Sequence, residues 1–284
     1  MSAYRFCRTD DIELLVDALN RCWAPYFPDE PPVTPAAFKR SIRDLQVWCS
    51  SCMVAFSGSD PIGVLIGAKR PSGTLVHKIA VHPDHRRQGH GRHLLASLGS
   101  KLAILGPPRI VAEVPESLAS ACELFSANGY VREALLTDYV LQREEKDSDR
   151  RDGFVIPVTV DDLAANGLLG EADQQGCWKR SVETLTARKD DIAGLAVASD
   201  ERIEAYLLYA ERGAEGTEIM SLRSFIEDGG ARLTQLLSQL RARGMGTFRF
   251  PKVHPAEISK ECLESLGFRA AGGHVLYAAR ARSA

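Results

Sequence analysis

Between Lys78 and Leu98 the chain reads KIAVHPDHRRQGHGRHLLASL. Five of the seven histidines (His77, His82, His85, His90 and His93) lie in or just before this stretch, with Arg86, Arg87, Arg92, Gly89 and Gly91 among them. Three chemistries compete for such residues: a metal held by imidazoles, a nucleic acid held by a basic patch, and a phosphate held by backbone amides and arginines. His82-x-x-His85 and His90-x-x-His93 have ligand-like spacing, but Arg86 and Arg87 stand between the pairs, and two cations beside a divalent ion oppose its binding. No metal site is expected. A nucleic-acid patch needs further basic or aromatic surface, and the flanks are apolar and acidic. With 35 Lys and Arg against 37 Asp and Glu, the formal charge is −2, so no general attraction for nucleic acid exists. A phosphate fits the local pattern best. A strand ends near Val81, a short loop carries Arg86, Arg87, Gln88, Gly89, His90 and Gly91, and a helix starts near Gly91. A helix N-terminus offers unpaired N–H groups and partial positive charge. Two glycines let several N–H groups turn inward, and three arginines add fixed charge. A solvated charged loop with a glycine turn is the alternative. The loop lacks the Gly-Lys-Ser/Thr end of a P-loop and is not Gly-x-Gly-x-x-Gly.

The elements that position this loop appear twice. KRSIRDL (Lys39–Leu45) returns as KRSVETL (Lys179–Leu185). VAFSGSDPIGVLIGAKR (Val54–Arg70) has the same strand–turn–strand shape as LAVASDERIEAYLLYAER (Leu195–Arg212). ELFSANGYVREALLTDYVL (Glu123–Leu141) matches ECLESLGFRAAGGHVLYA (Glu261–Ala278). The offset stays near 140, which predicts two copies of one fold. Between them QREEKDSDRRDG (Gln142–Gly153) has almost no apolar residue and reads as a solvated connector. The expected domains are residues 1–146 and 147–284.

In the first copy a short strand over AYRFCRT precedes a helix started by a capping box of Asp10 and Glu13. Thr34-Pro35 opens a second helix with Phe38, Ile42 and Leu45 on one face. Strands follow at 52–57, 61–69 and 74–81. The helix after the loop carries Leu94, Leu95, Leu98 and Leu102. A strand at 109–114, a helix at 118–128 and a strand at 135–142 complete the copy. Strand–helix–strand units in a hairpin-rich pattern predict an α/β fold: a mixed sheet with helices on its faces.

Composition agrees with a globular protein: 45% hydrophobic and 25% charged over 284 residues. MSAYRFCRTDD shows no apolar run behind its first basic residue and does not read as a signal peptide. No run of about 18 apolar residues marks a membrane helix. Seven scattered cysteines read as reduced thiols of a cytoplasmic protein. Trp48-Cys49-x-x-Cys52 has redox spacing, but a strand-like run Met53–Phe56 follows it where a thiol-activating helix would have to start. Cys49 and Cys52 are expected to be packing residues.

The loop and its surroundings resemble the GNAT superfamily of acyl-CoA-dependent N-acyltransferases. The likeness rests on Arg86-x-x-Gly89-x-Gly91, on the preceding Ile79-Ala80-Val81 and HPDHR, and on LFSANGY (Leu124–Tyr130), over about residues 54 to 141. It implies two GNAT-like domains, each with a mixed, mostly antiparallel central sheet flanked by helices. It further implies acetyl-CoA as cosubstrate and an amine acceptor, with neither nucleic acid nor membrane as partner. The pantetheine arm would run along the splayed backbone of Ile79, Ala80 and Val81, and the pyrophosphate would sit on Arg86, Arg87, Gln88, Gly89, His90, Gly91 and Arg92.

Members of the family commonly carry a tyrosine near the CoA sulfur as general acid. Phe125 holds that place here, beside the bound donor. Another group (Ser117, Ser120 or Cys122) or water would then protonate the thiolate; the alternative is an acyl-CoA-binding or scaffolding protein without turnover. Glu113 and His77 are the candidate bases. In the second copy Ile226, Glu227 and Asp228 replace Arg86, Arg87 and Gln88, and Leu263 takes the tyrosine place. Two carboxylates would repel a pyrophosphate, so this copy is expected to be degenerate. The pair would form a pseudo-dimer within a monomer, or the chain a homodimer.

Overall fold

The computed structural model describes residues 2–142, 154–169, 176–213 and 216–282. The expected boundary between residues 146 and 147 lies outside the described residues. The chain forms two compact units: Met1–Glu133 with Val275–Ala284, and Ala134–His274.

The N-terminal unit contains β1 (Ser2–Phe6), α1 (Ile12–Cys22), α2 (Pro35–Leu45), β2 (Met53–Ser57), β3 (Asp60–Arg70), β4 (Gly73–Val81), α3 (His90–Leu105), β5 (Arg109–Pro115) and α4 (Ala119–Ala127). Its sheet runs β1-β2-β3-β4-β5 and ends on the last residues of β12 (Arg269–Arg280). The first three pairings are antiparallel and β4–β5 is parallel. Leu94, Leu95, Leu98 and Leu102 turn one face of α3 into the core, against Met53, Leu65, Ile110 and Phe125. Each such side chain contributes roughly 1.5–3 kcal/mol over its exposed state.

Helix starts follow the sequence unevenly. Thr34 caps α2 as expected, its Oγ1 accepting from the Ala37 N–H at 3.1 Å. The capping box at α1 does not form. The helix begins at Ile12, and Asp11 rather than Asp10 is engaged, accepting from the Arg8 N–H (2.7 Å) and pairing with Arg5 (2.9 Å). The expected redox-inert reading of Cys52 agrees with its surroundings: it is fully buried, β2 follows it, and burial pushes its thiol pKa up.

The C-terminal unit repeats the order with β7 (Val155–Val158), α5 (Val160–Ala165), α6 (Val182–Ala187), β8 (Ala193–Ala198), β9 (Ile203–Glu211), β10 (Thr217–Ser224), α7 (Ala231–Ala242), β11 (Phe248–Val253) and α8 (Lys260–Ser265). Its strand order is β7-β8-β9-β10-β11-β6, where β6 spans Val131–Leu141. Leu233, Leu236, Leu237 and Leu240 bury one face of α7, as their spacing predicts. The sixth strand position of each sheet is thus filled from the other half of the sequence: β6 completes the C-terminal unit, and the end of β12 completes the N-terminal one.

Candidate functional site

The site begins where two parallel strands part. β4 and β5 pair only at Thr74–Ile110 and Leu75–Val111, although β4 continues to Val81 and β5 to Pro115. A bulge bends β4 at this point: Ile66 faces Lys78 and Gly67 faces Val76, so His77 is the extra residue. Beyond the bulge, Val81 lies opposite Gly63, and the His82 N–H donates to the Ile62 carbonyl at 2.9 Å. Gly63–Val81 is therefore a non-hydrogen-bonded pair. The N–H and C=O of Val81, and by alternation of Ile79, point away from β3 toward the open side.

The loop after β4 is shaped by two left-handed residues, Arg87 (φ 61°) and Gly89 (φ 86°). Gly89 is the residue before α3, and no side chain caps that helix. Its first N–H groups are left for a ligand or solvent. Gly91 lets α3 approach α4: a Cβ there would lie 3.2 Å from Leu124. Arg86 donates to Ser120 Oγ on α4 (3.3 Å), and its guanidinium lies 5.8 Å from the Tyr26 ring. Arg87 lies 3.9 Å from Glu123 with both side chains in solvent, a contact worth little.

Strand edge and loop open into one cavity of about 570 Å³ within the N-terminal unit. Ile79, Ala80, Val81, Arg86, Arg87, Gly89, His90, Gly91, Arg92 and Ser117 line it, together with Trp23, Tyr26 and Phe27 after α1 and Ser120 on α4. Five other sequence-predicted residues (Gln88, His77, Glu113, Cys122 and Phe125) are elsewhere. Gln88 is exposed and off the cavity wall. His77 sits in the bulge and Glu113 on β5; both are half-buried and neither lines the cavity. Ile110, Ala112 and Val114 of β5 face the core under α3 and α4, so strand alternation turns Glu113 to the opposite face.

Phe125 is also placed differently from the expectation that it faces the donor. It is 2% exposed, its ring stacked on Tyr277 at 5.8 Å and edge-on to Tyr130 at 5.1 Å. Its neighbour Leu124 lines the cavity instead. Cys122 points its thiol at the Pro115 carbonyl.

His90 anchors the loop. Its Nδ1 lies 2.6 Å from the Tyr4 hydroxyl on β1, and it is 5% exposed. Burial, helped by His85 and His93, holds its pKa below the ordinary histidine value. Sequence reasoning missed Tyr26, whose hydroxyl donates to the Val81 carbonyl at 2.6 Å across 55 residues. The only local hint was the aromatic run Trp23–Phe27. Among the described residues no group of three or more His, Cys, Asp or Glu is placed to hold a metal ion. No described helix is long and apolar enough to cross a membrane.

The C-terminal unit shows the same parting strands, β10 and β11 pairing only at Thr217–Phe248 and Glu218–Arg249. Gly230 (φ 86°) precedes α7 as Gly89 precedes α3. On the helix start, then, Asp228 corresponds to Arg87, one position away from the counterpart expected from sequence. Its carboxylate accepts from the Gly230 N–H (2.9 Å) and the Arg232 N–H (2.8 Å). This helix start already holds an anion of its own. Elsewhere in this unit, the buried Arg180 pairs with Glu257 and donates to the Lys252 carbonyl at 2.8 Å.

Residues 12–130 match the family model described as the Acetyltransferase (GNAT) family. This segment belongs to the GNAT family. The whole chain has a tandem GNAT fold. It superposes on a tandem GNAT protein from the clavulanic acid biosynthesis pathway with a TM-score of 0.68, at 18% identity over 100% of both chains. A GCN5-related N-acetyltransferase from Sphaerobacter thermophilus gives 0.68 at 15% identity, over 99% of this chain and 96% of that one. No curated protein sequence matches the chain significantly. The GNAT fold is one of acyl transfer, and the cavity between β4, α3 and α4 is the candidate place for it.

Proposed function

We propose that the N-terminal GNAT unit moves an acetyl group from acetyl-CoA to a primary amine, in the cytoplasm. One observation carries this reading: a single cavity joins the open edge of β4 to the uncapped start of α3. The residues present fit the donor. The loop supplies backbone N–H groups and the cations Arg86 and Arg87 for the pyrophosphate. The outward N–H and C=O groups of Ile79 and Val81 suit an extended amide chain, which would lie along them as an added strand.

In the reaction the amine nitrogen attacks the thioester carbonyl, the C–S bond breaks, and the thiolate takes a proton while the new amide loses one. The chain's part is to align the donor, receive that proton traffic and keep the carbonyl beside N–H donors. Ser117, Ser120 and Tyr26 are the hydroxyls on the cavity wall. His77 and Glu113 flank the parting strands and would act as base only through water or a shift.

The C-terminal unit is read as a degenerate copy, because Asp228 occupies the phosphate end of its helix. A second reading, acyl-CoA binding without turnover, draws support from the burial of Phe125, which leaves the cavity without the family's tyrosine. Calorimetry with acetyl-CoA on wild type and Gly89→Glu tests the site. At φ 86°, a glutamate both strains the loop and places an anion in it. Binding by wild type that disappears in the variant supports the N-terminal site; equal binding by both refutes it. Thiol release in an amine screen then separates enzyme from binder.

A further inference from the structure

Tyr26 sits in a short helical turn, Ala24–Tyr26, directly after α1, with Pro25 inside the turn. Its hydroxyl holds the Val81 carbonyl at 2.6 Å, on the side of β4 that β5 has left open. Its ring lies 5.8 Å from Arg86, which in turn bonds Ser120 on α4. Phenol and guanidinium together bridge the cavity from the α1 side to α4.

An extended chain bearing amides binds a free strand edge by exchanging hydrogen bonds with alternate residues, here Ile79 and Val81. The Tyr26 hydroxyl already stands where one of those bonds would form. We propose that Tyr26 is a positioning residue that guards donor entry: an amide N–H of the donor's arm takes the Val81 carbonyl by displacing the phenol. This rests on the reading of the N-terminal cavity as the acyl-CoA site. The contact lowers donor affinity by the fraction of molecules in which it is closed, and its release frees the turn that carries the Trp23 and Phe27 wall.

The test is the affinity of Tyr26→Phe and wild type for acetyl-CoA and for acetyl-pantetheine, which shares the arm but lacks the phosphates. Removing the hydroxyl is expected to tighten both ligands by the same factor, about three- to tenfold, the bias that one net hydrogen bond supports. Structural damage would weaken binding, so the sign separates the two causes. Tyr26→Leu, which removes the ring as well, is expected to shift affinity in the same direction and guards against a folding defect peculiar to one variant. Unchanged or weaker binding in the variants, with wild type binding normally, overturns the displacement. Tightening confined to acetyl-CoA also overturns it, because the effect would then belong to the phosphate loop. Wild type that binds neither ligand overturns the acyl-CoA reading itself.

Discussion

Phe125→Tyr puts a phenol back at the position where the family's general acid would be expected. The structure predicts that it will not restore an acid. The ring is 2% exposed and held between Tyr277 and Tyr130, while Leu124 takes the cavity side of α4. A new hydroxyl would enter this packed space. If unpaired, it costs about 1–3 kcal/mol, and one extra atom in a filled core brings a penalty of similar size. Tyr277, stacked on the ring, has its hydroxyl 3.4 Å from Ser126 Oγ; if either accepts the newcomer, the cost falls to the lower end. For a unit of this size, roughly 2–4 °C accompanies each kcal/mol, so a combined cost of about 2–6 kcal/mol should lower the midpoint by roughly 4–24 °C. The assay is a thermal melt beside a thiol-release measurement with the best amine found. The expected result is a lower midpoint with no rise in kcat. An unchanged midpoint and a kcat about a hundredfold or more higher, the low end of what one general acid contributes, would show that the ring reaches the donor and is not held in the core.

Two further outcomes follow from groups described above. Asp228→Ala removes the carboxylate that caps α7 and should cost about 1 kcal/mol, as for other helix caps. Calorimetry should still detect no acyl-CoA in the C-terminal unit, since no arginine stands in the loop between Phe225 and Gly230. His90 gives a pH dependence. Burial, with His85 and His93, makes the folded chain hold its proton less tightly than the unfolded chain does, for which the ordinary value is 6.5. Its contribution is therefore intact above that value and is lost as pH falls below it, where the unfolded chain protonates first. Melts from pH 8 to pH 5 should show a steeper loss for wild type than for His90→Gln. Parallel curves would show that His90 is as easily charged in the fold as out of it.

The turn after β4 and the helix start behind it were legible in the sequence because glycines, arginines and a helix start are local features. Arg86, Arg87, Gly89 and Gly91 line one cavity, and Gln88 between them does not. The parting of β4 and β5 came through resemblance and matches the short ladder between them. What depends on rotation or on distant partners was not legible. Leu124 and Phe125 are neighbours in sequence, yet a helix separates their directions by about 100°, and only packing decides which one meets the cavity. Tyr26 bonds a carbonyl 55 residues away, beyond any spacing rule. Asp10 and Asp11 are equivalent as letters, and the partner Arg5 favours the second. The same one-residue ambiguity displaced Asp228 from its true counterpart. Repeats, finally, reveal copies but not which copy supplies each closing strand.

That last feature governs how the protein can be made. On the ribosome, Val275 is added 142 residues after Glu133. At bacterial or eukaryotic elongation speeds this is a wait of roughly 7–28 s. Throughout it β5 is an unpaired edge, and Phe125 lacks the ring of Tyr277 on one face. The half of the chain with the candidate active site is thus the first to be synthesised and the last to be finished. A nascent chain stalled short of Val275 would expose a strand edge suited to pairing with whatever neighbour it met.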